Sequence, residues 1–196
     1  MQDLWARLRF GHLLAAVFMA APLYALLAVN ERGRFGAALA HDLDHYMEGM
    51  IRRQPFRCFA YLAMLLVTGL LMLSAFLGGL GLLAVDRTLA VHALFFALLA
   101  GFLSYVHFGL QPRIDALLGQ VPQAGSAPEK VGPAIWGLRR RRKKIATTCL
   151  FLVIGTVLMG LRAMVPFSVW LLAALLALAA LFAWRVYRSL LPYGWF

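Results

Sequence analysis

The chain has 196 residues, of which 63% are hydrophobic and 14% charged, with a mean hydropathy of +0.79. An ordinary soluble domain is roughly half apolar and a quarter charged, so this composition excludes a soluble globular protein. Nineteen Lys and Arg against eight Asp and Glu give a net charge of +11; the bases crowd beside long apolar runs, which fits a membrane protein with one basic face and not a nucleic-acid binder.

Phe10 to Val29 is the first apolar run. It is long enough for a bilayer and has no A-x-A-like cleavage site, so it is expected to stay as an anchor. His12 lies near its start. Between Ala37 and Arg53, Leu39, Leu43, Tyr46, Met47 and Met50 recur on one helical face, which predicts a short interfacial helix lying flat on the cytoplasmic surface. Its opposite face carries His41, His45, Glu48 and Arg52, with Asp42 and Asp44 nearby, and is expected to be solvated. Pro55 separates it from the second span, Phe59 to Val85, whose end carries Gly78, Gly79 and Gly81. The third span runs from Leu89 to Leu110, with His92 at one end and His107 at the other.

Gln111 to Lys144 holds Pro112, Pro122, Gly125, Ser126, Pro128, Gly132 and Pro133 and reads as an irregular cytoplasmic linker. It ends in the run Arg139, Arg140, Arg141, Arg142, Lys143 and Lys144, either a cradle for anionic lipid headgroups or a plain topogenic stop. Ile145 to Leu161 and Phe167 to Trp184 form the fourth and fifth spans, with Arg162 and Pro166 between them. Trp5, Trp136, Trp170, Trp184, Tyr187 and Trp195 fall near predicted interfaces, as belt anchors do. The expected fold is all-α: one polytopic bundle of about five transmembrane helices over 1–196. Fifteen of the nineteen bases fall on one side of it and only Arg7, Arg9, Arg87 and Arg162 on the other. That asymmetry predicts a bacterial-type cytoplasmic (inner) membrane with the N-terminus outside and the C-terminus in the cytoplasm.

Cys58 and Cys149 are too few for a disulfide framework or a zinc site, and no phosphate-loop, dinucleotide, metalloprotease or nucleophile-elbow motif is present. No Asp or Glu sits centrally in a span, which argues against a proton or ion path. The histidines carry the chemistry. His12 and His92 fall at matching depth on parallel spans, with Gly11, Ala15, Ala16, Ala93, Ala97 and Ala100 leaving space around them, so the pair is a candidate for bis-histidine ligation of haem b. The structural alternative is a wetted interfacial His12 and a His92 bonded to a neighbouring carbonyl. His107, near Ser104 and Tyr105, is a candidate second ligand or relay. His41 and His45, at i, i+4, are a candidate metal pair. Copper through scattered methionines, among them Met19, Met47, Met50, Met64, Met72 and Met159, competes with their use as adaptable packing.

The stretch Phe10 to Tyr24, FGHLLAAVFMAAPLY, resembles the first span of the copper-resistance D-type domain and of the HemJ-type protoporphyrinogen oxidases. TGLLML at Thr68 to Leu73, SYVH at Ser104 to His107, and the basic entry into span four with GTVLMG are similar too. The resemblance covers about the first 165 residues. It implies haem binding at His12, with His92 or His107 as partner. Met19 and Ala20 stand where those families tend to have Trp and Gly, and no lysine lies between Arg87 and Arg113, where HemJ-type proteins carry one important for activity. The likeness therefore supports a ligand at His12 more than an oxidase.

Three readings follow. The chain is a haem-bearing subunit of a redox, electron-transfer assembly; or an accessory subunit whose small residues (Ala20, Ala21, Gly78, Gly79, Gly101, Gly155, Gly160) pack against other membrane protein subunits; or a protein handling copper or haem precursors. A subunit or binding protein is expected rather than a stand-alone enzyme.

Overall fold

A computed structural model describes residues 2–30, 39, 41–52, 54–76, 78–122, 128–165 and 167–188, and among these there is helix and no strand. The helices are α1 (Gln2–Asn30), α2 (His41–Arg52), α3 (Gln54–Phe76), α4 (Leu82–Val85), α5 (Arg87–Ser104), α6 (Gln111–Leu118), α7 (Val131–Met164) and α8 (Val169–Arg188), with a π turn (Tyr105–Leu110) joining α5 to α6. Five stretches are long and apolar enough to cross a membrane, and they fall on α1, on α2 with α3, on α5 through α6, on α7 and on α8. Phe10, Val17, Phe56, Phe108, Trp170 and Leu178 stand exposed on the outside of the bundle, as apolar side chains do where the surrounding solvent is lipid.

α7 is the central helix. α1, α5 and α8 all pack against it, and α3 packs on α1. The main core joins Ala15, Met19, Leu62, Leu65, Leu99, Cys149 and Leu152. Gly155 belongs to this internal packing, because a Cβ there would lie 2.6 Å from the Phe95 ring; it faces into the bundle and not toward a partner.

Three expected boundaries are corrected. The second span stops at Phe76 and not Val85: Gly78 and Gly79 take φ of 89° and 96°, a left-handed backbone that glycine alone adopts readily, and the Gly79 N–H closes the helix on the Leu73 carbonyl at 2.9 Å. The chain restarts as α4, and the Asp86 carboxylate then caps α5 by accepting from the backbone N–H of Thr88 and Leu89. The third helix does not end at Leu110. The π turn gives Gln111 N–H a partner in the Val106 carbonyl, and Pro112 falls in the first turn beyond it, where its missing N–H and bulky ring are tolerated. The linker is also largely helical at its other end: Pro133 lies in the first turn of α7, and the basic run continues as helix into the fourth span. Residues 123–127 of the linker, residues 37, 38, 40 and 53 of the expected interfacial segment, and Trp195 lie outside the described residues.

α2 forms where expected, but its polar face is enclosed and not solvated. Leu43, Tyr46 and Met50 are exposed while Asp44, Glu48 and Ile51 are buried. The polar face is internal because a set of arginines on α7 meets it.

Candidate functional site

Spans α1 and α5 run in the same direction and bring His12 and His92 together, with ring centroids 6.0 Å apart and planes inclined by 33°. On α1, Trp5, Arg9 and His12 follow one another at helical spacing and share a face. Threonines on two other helices orient the imidazoles. His12 Nδ1 lies 2.8 Å from the Thr68 hydroxyl of α3, and that hydroxyl gives its own hydrogen to the Met64 carbonyl at 2.6 Å. The hydroxyl is thus an acceptor toward His12, so Nδ1 carries the proton. His92 Nδ1 lies 3.0 Å from the Thr156 carbonyl of α7; a carbonyl only accepts, so this Nδ1 is protonated as well. Each neutral ring therefore presents the lone pair on its Nε2.

Gly160 makes room for the His92 ring, and Gly69 lies in ordinary contact range of the His12 ring. A Cβ at Gly69 would meet His12 Cε1 at 3.5 Å, and one at Gly160 would meet His92 Cε1 at 3.3 Å. Gly160, like Gly155, is thus committed to internal packing. The two rings line a cavity of about 430 Å³ whose walls are mostly apolar, including Leu65, Leu70, Leu73 and Phe96. Trp5 and Arg9 lie on the same wall as His12. The carbonyl bond expected of a purely structural His92 is present, and it is also the bond that orients a ligating histidine through its other nitrogen.

The remaining candidate histidines do not join this pair. His107 sits in the π turn at the other end of the helix, against Phe59 and Phe108 with ring centroids at 5.7 and 4.6 Å, and its Nδ1 is buried without a hydrogen-bond partner. His41 and His45 stack at 4.4 Å, and His41 Nδ1 contacts the exposed Asp42 carboxylate at 2.9 Å. Among the described residues no three His, Cys, Asp or Glu side chains are grouped to hold a metal ion. His41 and His45 thus meet at i, i+4 spacing, with no third such side chain beside them among the described residues.

A second polar constellation lies at the far end of the bundle. Arg139 donates from Nη1 to Asp44 Oδ1 at 2.8 Å and from Nε to Glu48 Oε1 at 2.9 Å. Arg142 donates from Nη1 to Glu48 Oε2 at 2.6 Å and from Nη2 to Glu48 Oε1 at 2.9 Å, and Nη1 also meets Gln111 Oε1 at 2.6 Å. All four charged side chains are at most 1% exposed. Burial works against ionisation of Glu48, but the hydrogen bonds from Arg142 and the charges of Arg142 and Arg139 win and hold its carboxyl below the usual range. These contacts tie α2 and α6 to α7.

The basic run expected to cradle lipid headgroups is divided between two surroundings. The helical period turns Arg139, Arg142 and Lys143 inward and leaves Arg140, Arg141 and Lys144 exposed. Arg141 rests over the Tyr105 ring at 5.4 Å, and the Lys143 ammonium lies 5.6 Å from the Tyr187 ring.

Thr68, Gly69, Thr156, Gly160 and Arg9 adjoin the two histidines although none was among the candidate site residues read from the sequence. The helical spacing of Trp5, Arg9 and His12 was the available signal for Arg9, and the TGLLML and GTVLMG stretches held the other four. No family model matches the chain, and neither a curated protein nor a solved structure does.

Proposed function

We propose that the chain is an integral membrane subunit of a redox assembly that binds haem b between His12 and His92 and passes electrons through it. The observation that carries this reading is the pair itself: two imidazoles from different helices, each held by an Nδ1–H bond, each offering Nε2, both at an apolar cavity. The 6.0 Å between the two ring centroids is a separation at which one metal ion could reach a nitrogen of each ring. Haem b supplies one-electron chemistry when bound. The chain's own residues orient the two ligands through Thr68 and Thr156 and surround the site with mostly apolar side chains. The likeness of Phe10 to Tyr24 to the first span of the copper-resistance D-type and HemJ-type families supports the same assignment for His12.

The orientation that accompanies this reading has the His12 end outside and α2, α6 and the start of α7 at the cytoplasmic surface of a bacterial-type inner membrane, with the exposed Arg140, Arg141 and Lys144 among anionic headgroups. The electron partners are other membrane subunits. The test is an optical spectrum of the purified full chain, oxidised and then dithionite-reduced, beside His12→Ala and His92→Ala. A sharp α-band in the reduced chain, lost in each variant, supports the proposal; its absence from the wild-type chain supplied with haem refutes it.

A further inference from the structure

The polar lining of the cavity is uneven. Apart from the two histidines, one ionisable side chain lines it, Arg9, and no Asp or Glu does. Arg9 lies three residues before His12, so the two occupy the same face of α1 about one turn apart. Its guanidinium sits 5.7 Å from the centre of the Trp5 ring, and Trp5 in turn packs on Phe76 of α3 with centroids at 5.1 Å. Among the described residues Arg9 forms no ion pair. The cation is therefore oriented by an aromatic ring and left without an anion, at the edge of an otherwise apolar space.

We infer that the cavity selects an amphipathic occupant, an iron porphyrin whose ionised carboxylate pairs with Arg9 while its flat apolar body lies against the leucines and Phe96. The inference rests on the haem reading above and adds a requirement to it: an acidic edge on the ligand. A guanidinium donates two parallel N–H bonds to a carboxylate, a match of geometry as well as charge. The walls beside it are mostly apolar, and the carboxylate would neutralise a charge that forms no ion pair among the described residues. Arg9 is thus a positioning residue for the porphyrin edge, and the histidines act on the metal.

The discriminating experiment titrates the purified full chain with haem b and separately with haem b dimethyl ester, whose carboxylates carry no charge. A charge-assisted hydrogen bond contributes about 1.5–3 kcal/mol, so the wild-type chain is expected to bind the diacid about ten- to a hundredfold more tightly than the ester. Arg9→Gln removes that preference without changing the bis-histidine spectrum of either complex, and Arg9→Lys keeps part of it. Equal binding of diacid and ester by the wild-type chain overturns the inference and leaves the haem reading standing, as does a preference that survives in Arg9→Gln. Failure of the wild-type chain to bind either porphyrin overturns both. The comparison of the two ligands on the wild-type chain needs no variant to fold.

Discussion

Glu48→Gln probes the buried ion cluster most sharply. In the native arrangement two guanidinium groups and two carboxylates are enclosed together and their formal charges cancel. Glu48 accepts from Arg139 Nε and from both terminal nitrogens of Arg142, and from Gln111 Nε2 at 3.2 Å. The amide keeps the shape but supplies one acceptor oxygen where there were two, and turns an N–H₂ toward groups that already donate. It also leaves the enclosed cluster with one uncompensated positive charge. Breaking a buried ion pair by removing one partner costs about 3–5 kcal/mol, which lowers the folded-to-unfolded ratio by roughly two to nearly four orders of magnitude. Equilibrium unfolding in mixed micelles, followed by tryptophan fluorescence, reads this loss. Glu129→Gln, at an exposed glutamate, is the control and is expected to stay within about 0.5 kcal/mol of the wild type. A Glu48→Gln chain as stable as that control would refute the claim that these contacts hold α2 and α6 to α7.

The same carboxylate gives a pH dependence. Its folded pKa is held below the ordinary value of 4.5, so its contribution is fully present above pH 4.5 and is lost as the pH falls through the lowered value; acid unfolding profiles of the wild type and Glu48→Gln are expected to converge at the acid end. Thr68→Val removes the acceptor for His12 Nδ1–H and is expected to weaken haem binding about 10- to 100-fold, while Thr68→Ser restores it; equal affinities in a spectral titration of all three chains would refute the orienting role. Gly155→Ala places a Cβ 2.6 Å from the Phe95 ring, and the displacement is expected to cost about 1–3 kcal/mol in the unfolding assay; a neutral result would mean the Phe95 ring shifts freely.

The apolar runs made the five long helices legible, because a stretch long enough for a bilayer has few other uses. The meeting of His12 and His92 was legible from residue counting along parallel spans. What the pattern hid has identifiable causes. α2 was read as an interfacial helix with a wet polar face, because nothing in its local pattern tells what covers that face. Leu43, Tyr46 and Met50 face out, and Asp44 and Glu48 find Arg139 and Arg142, which lie more than ninety positions along the chain. Pro112 reads as a helix stop because a π turn has no sequence signature that marks it beforehand. The run Arg139 to Lys144 looked uniform as letters, yet a helix through it must send alternate groups to opposite sides. Thr68 and Thr156 gave no warning, since each hydroxyl bonds a carbonyl one turn back within its own helix and such threonines are common in apolar helices.

The central claim is that His12 and His92 ligate one metal centre together. Low-temperature electron paramagnetic resonance of the oxidised, haem-loaded chain tests this directly, because two imidazole ligands place ferric haem in the low-spin state. The account predicts a low-spin signal in the wild-type chain and its conversion to high spin in both His12→Ala and His92→Ala. A low-spin signal that persists in either variant would contradict it.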